Sequence, residues 1–250
     1  MKEIIVVKIG TGVLTRGNGT LDGASLVRLV TAVAELKAAG FLCVVVSSGA
    51  VGAGVSALEL DAYPDDVETR QAAAAIGQAR LMQRYQTLFE QFDLDVAQLL
   101  ITGSDLQENR ERVSATMRRL LQEGDIIPIV NENDSVAIEE LRVGDNDLLS
   151  ARLAEFLGAR QLILFTTVDG LLDQGDQLIE SVDDLEQVLG LVRAESGKFS
   201  IGGMASKLKA VKYATDAGIE VLVANGRKPE QLCELVRGQG RGTRFAARPV

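Results

Sequence analysis

The chain has 250 residues, enough to bury a sizeable core without disulfides or metals, as one large α/β domain or two small ones. Its formal net charge of −9 argues against a nucleic acid or an anionic membrane as partner. It contains no histidine, which removes His-based triads, imidazole acid–base chemistry and His metal sites, so catalysis must rest on lysine, carboxylates, hydroxyls, backbone amides or a bound metal ion.

In chain order, Ile4–Ile9 reads as a strand, and Gly23–Ala39 has apolar residues at helical spacing before a stop at Gly40. Phe41–Val46 is a purely apolar strand, so it should be covered on both faces. A long helical stretch, Thr69–Phe92, is followed by a strand at Val96–Leu100 and a helix at Leu106–Glu123 that ends at Gly124. Ile126–Val130 is a strand, Asn146–Leu157 a helix ending at Gly158, and Leu162–Thr166 a strand. Leu178–Ile179 precedes an acidic segment of unclear form; Met204–Ala217 is a helix and Glu220–Val223 the last strong strand. Strands separated by 10–15-residue helices predict an α/β fold, a three-layer αβα sandwich with a mainly parallel central sheet. With no Trp and only three Tyr, its core must be aliphatic. Cys43 and Cys233 lie far apart without metal-ligand spacing and read as buried thiols of a reducing compartment. No signal peptide or membrane-length apolar run is present, so a cytoplasmic location is expected by elimination.

In open α/β sheets ligands bind beyond the carboxyl ends of the strands, so the segments just after each strand are where function should be sought. After the first comes Lys8-Ile9-Gly10-Thr11-Gly12, a lysine at a strand end beside a glycine turn. After the second comes Ser47-Ser48-Gly49-Ala50-Val51-Gly52-Ala53-Gly54, whose open backbone amides at a strand-to-helix transition suit an anion or a tight turn. Neither a Walker A loop nor a dinucleotide fingerprint is present. Asn131-Glu132-Asn133-Asp134-Ser135 makes either a capped turn or a polar cup for a zwitterion. Gly144-Asp145-Asn146-Asp147 leads into a helix, and an N-cap would account for one of its three polar residues. A later group comprises Thr166-Thr167-Val168-Asp169-Gly170, Gly202-Gly203-Met204-Ala205-Ser206-Lys207 and Ala224-Asn225-Gly226-Arg227-Lys228-Pro229. A lysine in the first turns of a helix opposes the macrodipole, which points to an anion nearby. The motifs fall into an early and a late group, dividing the single domain into halves at 1–150 and 151–250.

Taken together, KIGTG at Lys8, SSGAVGAG at Ser47, AAIGQARLM at Ala74, NENDSVA at Asn131, GDNDLLSA at Gly144, GGMASKLKA at Gly202 and ANGRKPE at Ala224 resemble the glutamate kinase branch of the amino acid kinase family. The likeness runs in order from about Lys2 to Phe245. It implies that Lys8 contacts the transferring phosphoryl group, that Ser48 and the Gly49 amide lie at the glutamate site, and that Asp134 and Asn146 hold glutamate. It further implies that Asp147 orients the lysines. Thr166, Thr167 and the segment Ile201, Gly202, Gly203, Met204, Ala205, Ser206 and Lys207 would then face ATP, with Lys207 on the phosphates. The first half would bind substrate and the second half nucleotide. ATP and Mg²⁺ are the implied cofactors, L-glutamate the acceptor, proline a feedback inhibitor, and a homo-oligomer (dimer or tetramer) the expected assembly. The chain departs from the family pattern at Thr167, where Asp is usual, at Ile201, where Thr is common, and in ending at Val250, without the C-terminal PUA domain of many bacterial members. Other members of the family, acting on acetylglutamate, aspartate or carbamate, and a non-catalytic amino-acid or nucleotide sensor are the alternative readings.

Overall fold

The computed structural model describes residues 2–103, 105–136, 146–173, 175–183, 185 and 204–248. The predicted strands form at β1 (Ile4–Ile9), β2 (Leu42–Val46), β3 (Asp95–Ile101), β4 (Ile126–Glu132), β5 (Gln161–Thr166) and β7 (Glu220–Asn225). Two short ones join them, β6 (Ser181–Val182) and β8 (Gly242–Phe245). All eight make one sheet in the order β3-β4-β2-β1-β5-β7-β8-β6. Every pairing from β3 across to β7 is parallel. β8 pairs antiparallel with β7 and carries β6 in parallel on its outer side, so these two strands run opposite to the other six named. The carboxyl ends of β1, β2, β4, β5 and β7 therefore open on the same edge.

The main helices are α2 (Gly23–Ala38), α4 (Val67–Phe89), α6 (Arg110–Gln122), α7 (Asn146–Leu157) and α8 (Met204–Asp216). Shorter ones are α1 (Thr11–Leu14), α3 (Ala50–Val55), α5 (Asp105–Glu108) and α9 (Leu232–Val236). They cover both faces of the sheet and make three layers. On one face Val6, Val44, Val130, Leu162, Leu164, Val221 and Val223 pack against α6, α7 and α8. On the other, Ile5, Val7, Cys43, Val45, Ile129, Ile163 and Leu222 pack against α2, α4 and α9. Because successive strand side chains point to opposite faces, strands buried on both must be apolar throughout, as these are.

Several boundaries differ from the sequence expectation. The helix expected at Leu106–Glu123 is two, α5 and α6, broken at Asn109. Asn131 and Glu132, expected in a loop, continue β4 because β3 runs on to pair with them at Leu100 and Ile101. Leu178 makes only an isolated bridge to Leu172. The loop-like Ala50–Val55 is a helix packed backbone to backbone on α4: a methyl at Gly54 would overlap the Ala73 carbonyl, and one at Gly77 the Ala50 carbonyl. Cys43 is buried as expected, whereas Cys233 is only half-buried. Among the described residues no helix is long and apolar enough to cross a membrane.

Candidate active site

Strand alternation puts Val6 and Lys8 on the α7/α8 face, while Ile5, Val7 and Ile9 face α2. The central strand thus ends by sending an ammonium group beneath two helices. Lys8 is only 2% exposed, and an ammonium buried so deeply needs a charged partner. Asp147, wholly buried in the first turn of α7, supplies it: Oδ1 pairs with Lys8 Nζ. The other oxygen, Oδ2, lies 3.3 Å from Nζ of Lys207 in the first turn of α8. An acidic residue suits a helix N-terminus and a lysine does not. Asp147 offsets that cost for Lys207 while gathering both lysines at one point. Ser150 Oγ donates to the Asp147 carbonyl at 2.6 Å and steadies the turn.

Beside this cluster lies a network of neutral amides and hydroxyls. Asn146 Nδ2 is 2.8 Å from the Ser47 carbonyl, 2.9 Å from Asn131 Oδ1 and 3.1 Å from Ser48 Oγ. The backbone N–H of Glu132 donates to Asn131 Oδ1 at 2.9 Å and to Asn146 Oδ1 at 3.3 Å. Asn131 Nδ2 in turn donates to Gln78 Oε1 on α4 at 2.9 Å. A second contact with α4 joins Ser47 Oγ and Tyr85 OH at 2.9 Å. Burial raises the Tyr85 pKa beyond the usual phenol range, opposed by its bond to Ser47, so the hydroxyl stays neutral. Gly49 adopts φ 94°, a left-handed conformation natural to glycine, and so turns the chain from β2 into α3 directly behind Ser48. Asp134 sits half-buried in the turn after β4 that Val136 N closes on the Asn133 carbonyl at 3.1 Å.

The late group lines the adjoining stretch of the same sheet edge. Thr166 ends β5 next to Asn225, and its carbonyl accepts from Gly226 N at 2.8 Å. Thr167 is exposed alongside Gly12 of α1. Asn225 Nδ2 donates to Asp169 at 2.8 Å, and that bond, more than the nearby Lys228 and Arg241, holds the Asp169 carboxyl below its usual range. Met204, Ala205 and Ser206 form the first turn of α8 with Lys207. Ile201, Gly202 and Gly203, like Gly144 and Asp145, lie outside the described residues.

The structure therefore brings together Lys8, Asp147 and Lys207, and separately Ser48 and Asn146. Sequence reasoning missed Ser47, Gln78, Tyr85 and Asn131 as partners in the second group. A signal for Gln78 was present: it occupies a buried stripe of α4 with Ala74, Leu81 and Tyr85. A glutamine among apolar neighbours at helical spacing calls for a polar partner.

The profile of the amino acid kinase family matches residues 3–225. The glutamate 5-kinase of Clostridium acetobutylicum is 39% identical over 250 residues, spanning 96% of this chain and 93% of that protein. The glutamate 5-kinase of Synechococcus sp. (strain JA-2-3B'a(2-13)) is 44% identical over 255 residues, spanning 98% of this chain and 68% of that one. Among solved structures, a UMP kinase from Ureaplasma parvum superposes with a TM-score of 0.64 at 12% identity, covering 98% of this chain and 100% of its own. A carbamate kinase from Giardia lamblia bound to citric acid gives 0.67 at 15%, with 98% of each chain covered. Those two share the fold. The match across residues 3–225, joined to near-full-length identity of about two residues in five, places the chain in the amino acid kinase family, among its glutamate 5-kinases.

Proposed function

We propose that this protein transfers the γ-phosphoryl group of ATP to the side-chain carboxylate of L-glutamate, giving L-glutamate 5-phosphate, the first step of proline biosynthesis. The observation that carries the reading is the buried Lys8–Asp147–Lys207 cluster at the carboxyl edge of a parallel sheet, flanked by a network of neutral amides, in a chain so similar to glutamate 5-kinases.

Phosphoryl transfer asks a protein mainly for alignment and charge stabilisation. A glutamate carboxylate, with a pKa near ~4.3, is already ionised at neutral pH and needs no general base, which suits a chain without histidine. Its oxygen attacks the γ-phosphorus in line; a P–O bond forms as the bond to ADP breaks, and the product is an acyl phosphate. Lys8 and Lys207 stabilise the negative charge on the transferring group and on departing ADP. Asp147 holds both ammonium groups in place for that role. Ser48, the Gly49 amide, Asp134 and Asn146 hold glutamate in the half spanning 1–150. Thr166, Thr167 and the α8 entrance, with Met204, Ala205, Ser206 and the preceding Ile201, Gly202 and Gly203, face ATP in the half spanning 151–250. Among the described residues no group of three His, Cys, Asp or Glu side chains gathers to cage a metal. Mg²⁺ would be held mostly by the ATP phosphates and water, and when bound would supply charge neutralisation to the phosphates.

The test is glutamate-dependent ADP release, with hydroxylamine trapping of the acyl phosphate, run beside a panel containing acetylglutamate, aspartate and carbamate. Turnover restricted to glutamate supports the assignment, and turnover of another acid alone overturns it. Adding proline to the same assay checks feedback inhibition, and sedimentation of the active protein checks assembly of like subunits. A cytoplasmic site of action belongs to the same reading.

A further inference from the structure

Hydrogen-bond direction in the amide network is fixed from one end. Glu132 N is a backbone donor, so the Asn131 atom that faces it must be the oxygen, Oδ1. Asn131 then turns Nδ2 toward Gln78, and the Gln78 atom that receives it must be Oε1. The series ends in Gln78 Nε2, which carries two N–H donors. Among the described residues no hydrogen bond consumes them. Gln78 is only 7% exposed, yet its Nε2 is not among the fully buried unpartnered side-chain atoms, so the amide keeps some access from outside and offers its donors to a ligand. Its backbone is also held firmly, because the neighbouring Gly77 packs directly on the Ala50 carbonyl of α3.

We infer that Gln78 Nε2 receives the α-carboxylate of the amino-acid substrate, which makes Gln78 a specificity-determining residue. This deepens the glutamate reading and rests on it. The reacting carboxylate must lie by Lys8 and Lys207. The network begins beside that point, at Asn146, the neighbour of Asp147, and passes through Asn131 to Gln78. A substrate stretched along it presents its far end to the terminal amide. That end is zwitterionic, so a neutral donor binds its carboxylate without repelling the adjacent ammonium, as a lysine or arginine would. The Gln78 acceptor, meanwhile, keeps Asn131 in its place.

Gln78→Glu tests this, because the carboxylate keeps an acceptor for Asn131 while replacing the donor by a charge that repels the substrate. Steady-state kinetics are compared for L-glutamate and for L-isoglutamine, whose α-carboxylate is an uncharged amide and whose side-chain carboxylate is intact; a slowly turned-over isoglutamine is measured as a competitive inhibitor. The expected result is a KM for glutamate raised about tenfold or more, with kcat and the KM for ATP within about twofold of the parent. The penalty should shrink to about threefold or less with isoglutamine. An unchanged glutamate KM, or an equal penalty for both ligands, overturns the inference. If Gln78→Glu does not fold, Gln78→Met, which keeps the length and lacks the donors, is held to the same comparison. Absence of glutamate turnover in the parent protein would instead sink the glutamate reading itself, so the two failures are distinguishable.

Discussion

Lys8 and Lys207 are unusual as lysines in that their stems and ammonium groups are both inside the protein, 2% and 7% exposed. Most lysines keep the charge in water. Holding two of them against Asp147 makes sense where a strongly anionic group must be received in a dry site, since electrostatic stabilisation is worth far more there than in water. Lys8→Ala and Lys207→Ala should each lower kcat by about 10²-fold or more, measured as glutamate-dependent ADP release; a fully active Lys8→Ala would remove that residue from the chemistry. The cysteines give a separate check. Burial pushes the Cys43 thiol up to about 12 and raises that of half-buried Cys233 as well. Labelling of the native protein with a disulfide reagent at pH 8 should therefore modify Cys233 first and Cys43 only after denaturation. At this scale the sequence was legible where a residue broke the pattern of its own segment, as Lys8 does at the end of a β-branched run. It was illegible where meaning depends on a partner distant in the chain. Gln78 and Asn131 are 53 residues apart, and neither shows from its neighbours that it meets the other.

Among elements, the tightest junction is that of α3 and α4, where Gly54 and Gly77 let two backbones touch. Gly77→Ala should destabilise the fold by about 3 kcal/mol, the upper range for overpacking, since the atom in the way is a main-chain carbonyl that cannot rotate aside. Urea denaturation measures this, and a neutral result would mean the helices can separate freely. Helix α2 starts at an Asp22 cap that accepts from Ala24 N at 3.2 Å and from Ser25 Oγ at 2.7 Å. The Ser25 bond, ahead of the other contributions, lowers the Asp22 pKa below 3.8. A carboxyl depressed on folding contributes stability above its unfolded pKa and loses it as pH falls through the folded value. Asp22→Ala should accordingly cost about 1 kcal/mol at pH 7, with the gap from the parent closing in acid below 3.8. The long helices and central strands were legible because burial on one stripe or on both faces leaves a periodic trace. β6 and β8 were not, being two and four residues long with Arg244 and Ser181 among them. Their place is set by the pairing of β8 on β7 and of β6 on β8, and by Thr243, which accepts from Leu171 N at 2.7 Å and donates to the Ile179 carbonyl at 2.6 Å.

For the whole molecule, β1 is the seam. It pairs with β2 from the first half of the chain and with β5 from the second, so the division at residue 150 runs through one continuous sheet. A fragment of residues 1–150 should fail to unfold cooperatively and should aggregate, because removing β5 leaves β1 with an open apolar edge. A soluble fragment with a sharp thermal transition would show instead that the first half is independent. The same seam ties activity to correct assembly. Had β1 paired one residue out of step, Lys8 would point into the Leu29 and Val33 side of the core, and Val7 or Ile9 would take its place under α7. A slipped chain could therefore be neither well packed nor competent. Refolding preparations of differing yield should show the same specific activity per natively folded molecule, since the residue that reports a faithful register is the one proposed to serve the reaction.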